Sequence, residues 1–173
     1  GAMLWVALSL LHPQRESVAT RGARSARRWA FGIVALVLLM VLTGGFVAGI
    51  RAGFAYNTFP LMNGAWIPPE ILMLEPAWTN FFWNMATVQF NHRMLAYLIL
   101  LLALGHSWDV SRSGADRKTR AYATLFVMLM VVQAMIGIAT LLFAVPIALA
   151  LLHQAMAILL LTVAVLQAAR LRR

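Results

Sequence analysis

His92 and His153 are the residues of this chain best placed to do chemistry. His92 lies in Gln89-Phe90-Asn91-His92-Arg93 and His153 in Leu151-Leu152-His153-Gln154, each inside a long apolar run. An ionisable ring at membrane depth is costly and by default points to function. His92 falls eight residues after Asn84, where its run opens, and His153 seven after Pro146. At 1.5 Å of rise per residue these offsets are ~12 and ~10.5 Å of helix, equal within ~3 Å. Two imidazoles at one level on helices running the same way can hold a heme iron between them. Such an iron has no open axial position, which favours electron transfer over oxygen binding. Two alternatives stand beside this reading. Each histidine can be a hydrogen-bonded residue between helices, or the pair can bind zinc, although zinc wants four donors.

The elements that must position these rings are membrane helices. The chain has 173 residues, 62% of them hydrophobic, with a mean hydropathy of +0.82. Soluble domains rarely exceed about half apolar. Apolar runs cover residues 30–50, 86–106, 121–144 and 146–169, each long enough to cross a hydrocarbon core of ~30 Å as a helix. Backbone groups in lipid must be satisfied internally, so runs of this length are helices rather than barrel strands. The predicted fold class is an all-α membrane protein built as a four-transmembrane-helix bundle.

The net charge of +9 is distributed as a topology signal. Of fourteen Lys and Arg residues, only Arg51 and Arg93 fall on one side of four alternating spans. The others cluster before the first span, between the second and third, and after the fourth. This positive-inside pattern predicts a multi-pass protein with a cytoplasmic C-terminus and argues for a lipid bilayer, not nucleic acid, as the partner of the basic charge. With no cysteine, disulfides, thiolate ligands and iron–sulfur clusters are excluded. No carboxylate falls within the four apolar runs, which leaves metal hydrolysis and carboxylate proton relays unsupported.

Residues 1–28 read as the tail of an upstream helix (4–11, apolar but too short to span) followed by a basic inner linker. Residues 29–173 read as the four-helix domain, with residues 51–85 as its one long loop, on the outer side. That loop carries Phe54, Tyr56, Phe59, Trp66, Trp78, Phe81, Phe82 and Trp83 and is broken by Pro60, Pro68, Pro69 and Pro76. It has no helix or strand run of its own. It is either an aromatic belt on the membrane surface or a lid over a cofactor edge. Gly45 and Gly49 form a small-xxx-small pair, which serves either close helix packing or space for a flat ligand. Gly44 and Gly137 share their outer level. Gln133, Gly137 and Thr140 share one face of the third span, a stripe suited to hydrogen bonds between helices. Pro146 suits the first position of the last helix. Arg93 matches a heme propionate in charge and geometry, and Arg51 is divided between that role and snorkelling to headgroups. His106 lies four turns beyond His92, but Gln167 stands where a second axial histidine would be needed, so one heme site is expected. His12 reads as a solvated loop residue.

Several motifs together resemble the heme A synthase family, the membrane oxidases of cytochrome oxidase assembly. They are Ala48-Gly49, Ala52-Gly53, Tyr56-Asn57-Thr58-Phe59-Pro60-Leu61-Met62, Trp66-Ile67-Pro68, Gln89 through Arg93, Gly137-Ile138-Ala139-Thr140-Leu141-Leu142 and His153-Gln154. The resemblance covers the C-terminal half of that family's chain. It implies an eight-helix, pseudo-symmetric fold whose C-terminal half holds a heme b and whose N-terminal half receives heme O. The implied reaction oxidises a methyl group of heme O to the formyl group of heme A. On that basis His92 and His153 are axial ligands of heme b, not groups at the reacting methyl, and Gln89, Arg93, Arg51 and Gly137 line the cofactor. The substrate half would be a missing piece or a separate partner, with heme O synthase and an electron acceptor as further partners. The implied location is the bacterial inner membrane, or the mitochondrial one in a eukaryote. A bis-histidine electron-transfer cytochrome and a cofactor-free assembly scaffold are the rival readings.

Overall fold

The computed structural model describes residues 21–171. The expectations for residues 1–20, His12 among them, lie outside the described residues. Five α-helices are present: α1 (Arg21–Gly49), α2 (Asn80–Trp83), α3 (Met85–Arg112), α4 (Arg117–Leu142) and α5 (Ile147–Leu171). No strand occurs among the described residues. Four of the helices are long and apolar enough to cross a membrane, so the all-α membrane class expected from composition holds.

The helices outrun the apolar stretches that announced them. α1 begins at Arg21, α3 continues to Arg112 and α4 opens at Arg117, where hydropathy had ended or not yet begun. Hydropathy measures what hydrocarbon tolerates, whereas the helical hydrogen-bond ladder continues unchanged into water and headgroups. Asp109 therefore sits on α3, inside a helix although outside the apolar run. Arginine stems pack on aromatic faces at these ends: Arg112 lies 4.7 Å from the Trp108 ring centroid and Arg170 4.9 Å from that of Tyr122. Asp116 caps α4 by accepting the Thr119 N–H at 2.9 Å, and hydrogen bonds from Thr119 hold its carboxyl below the ordinary range. Gly114 has φ +73°, the left-handed conformation that ends α3 without a Cβ penalty.

Two compact units are distinguished. Within the inner unit (the described residues of Gly1–Leu38, Ile99–Val131 and Met156–Arg173), the core is apolar and includes Phe126, Ile99 and Met130 as well as alanines. Ala26, Val110 and Ala123 pack together at its centre, with Ala115 and Leu171 against them. Small residues let helix backbones approach closely, which is how helices associate when lipid is as apolar as leucine. His106 and Gln167, both about 1% exposed, are joined through their Nε2 atoms at 2.6 Å.

The outer unit (Leu39–Leu98 and Val132–Ala155) holds the long loop, which is built on asparagines. Contrary to the expectation that it lacked helical runs, it contains 3-10 turns at Ala52–Phe54 and Ala77–Thr79, and α2. Asn80 is fully buried. Its amide donates to the Leu74 and Ala77 carbonyls, and its oxygen accepts from the Leu74 N–H and from Asn84. Asn84 caps α3 by accepting the Thr87 N–H at 3.1 Å and donates to the Glu70 carbonyl at 2.7 Å. Asn57 ties the loop to α4 by donating to the Leu141 carbonyl at 2.8 Å. Pro146 stands just before α5 rather than as its first residue, and its carbonyl accepts the first helical bond from the Ala150 N–H at 3.0 Å.

Candidate functional site

Helices α3 and α5 begin at Met85 and Ile147, each one residue later than the sequence markers Asn84 and Pro146. The offsets of His92 and His153 therefore shift together, and their equal depth survives. Both residues belong to the outer unit. Among the described residues, no group of three or more His, Cys, Asp or Glu converges as a metal cluster.

Each ring is flanked by a glycine. A Cβ added to Gly44 would lie 3.4 Å from Cε1 of His92, and one on Gly137 would lie 2.8 Å from Cε1 of His153. The second distance is below what real structures tolerate, so Gly137 is needed for that imidazole to stand where it does. Gly45 and Gly49 would meet nothing within 4 Å. Of the four glycines singled out, two reach the histidines, and the small-xxx-small pair makes no close helix contact.

The two rings are held differently. His92 Nδ1 lies 2.9 Å from Thr43 Oγ1. The same hydroxyl lies 2.9 Å from the Met40 carbonyl, an acceptor only, so it can give its proton there and accept the imidazole N–H on its other side. His153 is clasped by Gln133, whose amide donates to the His153 carbonyl at 3.0 Å and lies 3.3 Å from its Nε2. His153 Nδ1 and Gln133 Oε1 are buried without a partner. Each such orphan costs about 1–3 kcal/mol. The expected stripe on α4 is half realised. Gln133 bonds across to α5, but Thr140 bonds back to the Ile136 carbonyl of its own helix.

The residues expected at the rim do other work. Gln89 is buried and donates to the Ala52 and Tyr56 carbonyls. Arg93 fans its guanidinium over the carbonyls of Tyr56, Thr58 and Pro60 and the Gln89 side chain at 3.0–3.4 Å. These two side chains, on either side of His92, fasten the loop to α3. Arg51 is exposed and starts the first 3-10 turn with φ +56°. Tyr56 donates its phenolic proton to Glu70. Burial and this bond push the phenol up to about 12, and the same bond holds the Glu70 carboxyl below its ordinary range. A cleft of about 290 Å³ opens beside the pair, lined in part by Asn63, Asn84 and Met85.

Thr43 and the loop asparagines were not singled out from the sequence. A hydroxyl directly before Gly44-Gly45 in an apolar run was the available signal for Thr43. Asn84 at the foot of a helix has the usual preference of a cap.

The family model described as cytochrome oxidase assembly protein matches residues 1–165. The chain is 50% identical over 174 residues to a protein named heme A synthase from Nitrosospira multiformis, covering 100% of this chain and 49% of that one. It is 51% identical over 137 residues to a heme A synthase from Chelativorans sp., covering 79% of this chain and 38% of that one. A heme A synthase from Nitrosomonas eutropha is 41% identical over 165 residues, with 95% and 46% covered. The chain thus spans about half the length of the curated relatives it matches. No solved structure matches. Similarity of this extent across nearly every residue leaves one conclusion: the chain belongs to the cytochrome oxidase assembly protein family.

Proposed function

We propose that this chain is the heme b-binding half of a heme A synthase, with His92 and His153 as the axial ligands. The observation that carries the reading is the placement of two imidazoles in one unit, each beside a glycine and each tethered by a polar neighbour. The donor chemistry suits the group: two neutral imidazoles, no thiolate and no converging carboxylates. Bound between them, a low-spin heme supplies one-electron transfer.

The chain's own residues orient and shield. Thr43 and Gln133 hold the rings, and Gly44 and Gly137 keep the space beside them clear. Gln89 and Arg93 pin the loop over the foot of α3, which limits water access from that side. Arg93 has further N–H groups beyond those spent on loop carbonyls, so pairing with a propionate remains chemically open to it. We place residues 51–85 on the periplasmic side of a bacterial inner membrane, or on its mitochondrial equivalent, from the distribution of basic residues. Trp66, 70% exposed, is the right probe. Trp66→Cys in this cysteine-free chain should react with an impermeant maleimide only from the outer side, and labelling only from the cytoplasm refutes the topology.

Conversion of heme O to heme A would need a second heme pocket. His106 is committed to Gln167, so the substrate half must come from elsewhere. Expressed alone in cells that make heme O but lack a synthase, the chain should bind heme b and yield no heme A. Heme A should appear on co-expression with an N-terminal half. Heme A from the chain alone would place the oxidation within these helices. Heme b without heme A under either condition would favour an electron-transfer cytochrome, and no heme at all a scaffold.

A further inference from the structure

Threonine within a membrane helix commonly bonds back to a carbonyl of its own previous turn, and Thr43 does so toward Met40. What that habit does not explain is the second bond, in which the same oxygen receives Nδ1 of His92 from another helix. A hydroxyl has one proton. If Nε2 is to ligate, as the heme-binding reading requires, the imidazole proton sits on Nδ1, and Thr43 accepts it while giving its own to the Met40 carbonyl. The result is a directed chain from His92 Nδ1–H to Thr43 Oγ1–H to the Met40 carbonyl.

We infer that Thr43 is the positioning residue of His92, fixing its tautomer and ring plane so that Nε2 is presented as a basic ligand. The inference rests on the heme-binding reading above. A histidine ligand almost always donates its other N–H to a fixed acceptor, which raises its basicity, and losing that acceptor typically weakens the site about 10–100-fold. A more basic axial imidazole favours the ferric state, so the chain also sets the reduction potential. Gly44, next to Thr43, lies against the same ring, where an added Cβ would come to 3.4 Å from Cε1.

The test uses the full chain in lipid nanodiscs, with hemin titration and spectroelectrochemistry as readouts. Thr43→Val keeps the shape and removes the hydroxyl; it should weaken hemin binding about 10–100-fold and move the midpoint potential positive. Thr43→Ser restores the acceptor and should match the wild type in both. Thr43→Ala should shift in the same direction as valine, which keeps the test intact if valine disturbs packing. A Val variant equal to wild type in affinity and potential, or a Ser variant shifted as far as Val, overturns the inference while leaving heme binding standing. Failure of the wild type to take up low-spin heme overturns both.

Discussion

The outer and inner units each bury histidine, and they treat it in opposite ways. In the inner unit His106 is sealed, about 1% exposed, with its Nε2 at 2.6 Å from Gln167. The pair reads as a polar clasp between α3 and α5. In the outer unit His92 and His153 are only partly buried, lie beside glycines, and are held from behind by Thr43 and Gln133. Both units also leave polar atoms orphaned: Nδ1 of His106 and Oδ2 of Asp109 in one, Nδ1 of His153 and Oε1 of Gln133 in the other. Orphaned atoms alone therefore do not mark a site. The difference lies in the glycines beside His92 and His153 and in the presence of two histidines among the described residues of the outer unit.

The strongest way to break this contrast is to remove histidines one at a time. His92→Ala and His153→Ala should each abolish the low-spin heme spectrum, whereas His106→Ala should leave it unchanged. His106→Ala should instead lower stability by about 1–3 kcal/mol, because Gln167 loses its buried partner, measurable as a reduced thermal midpoint in nanodiscs. Full low-spin heme in both outer variants would reverse the assignment of the two units.

A subtler substitution sharpens the contrast within the outer unit. Gly137→Ala places a methyl 2.8 Å from the His153 ring and should cost about 1–3 kcal/mol through overpacking, read as weakened hemin affinity. Gly45→Ala meets nothing within 4 Å and should gain up to about 1 kcal/mol from helix propensity. Equal effects at the two positions would show that Gly137 is no cradle.

The smallest effect concerns the loop, where the buried Tyr56 phenol meets the Glu70 carboxylate at the surface. Tyr56 has its folded-state pKa raised from 10.0 to about 12, so its contribution is complete below pH 10 and fades as pH climbs toward 12. Glu70 is lowered from 4.5, so its contribution is present above that value and disappears as pH falls below it. Absorbance titration of tyrosinate should show one of the three tyrosines ionising late, near 12. Its return toward 10 in Glu70→Gln would confirm the clasp, and an ordinary profile in the wild type would dismiss it.

Much of this protein is determined by sequence alone, because the governing forces are one-dimensional. Lipid admits only long apolar helices, so four runs of hydropathy locate four spans. Charge bias along the chain predicts topology, and the regular rise of a helix turns residue counts into depth. The same counting puts His92 and His153 at matching distances from the starts of α3 and α5. The same logic misplaced helix ends such as Arg21 and Arg112, since apolarity stops at the membrane edge and hydrogen bonding does not. It also treated Gly45 and Gly49 like Gly44 and Gly137, for sequence spacing cannot say which side of a helix meets a neighbour. Only tertiary structure decided that Thr43 stands behind His92, that Gln133 holds His153 and that Arg93 spends its donors on loop carbonyls. Each of those is a bond between residues far apart in sequence, made by side chains a few ångströms long, and rotation of a helix by a fraction of a turn would exchange one partner for another.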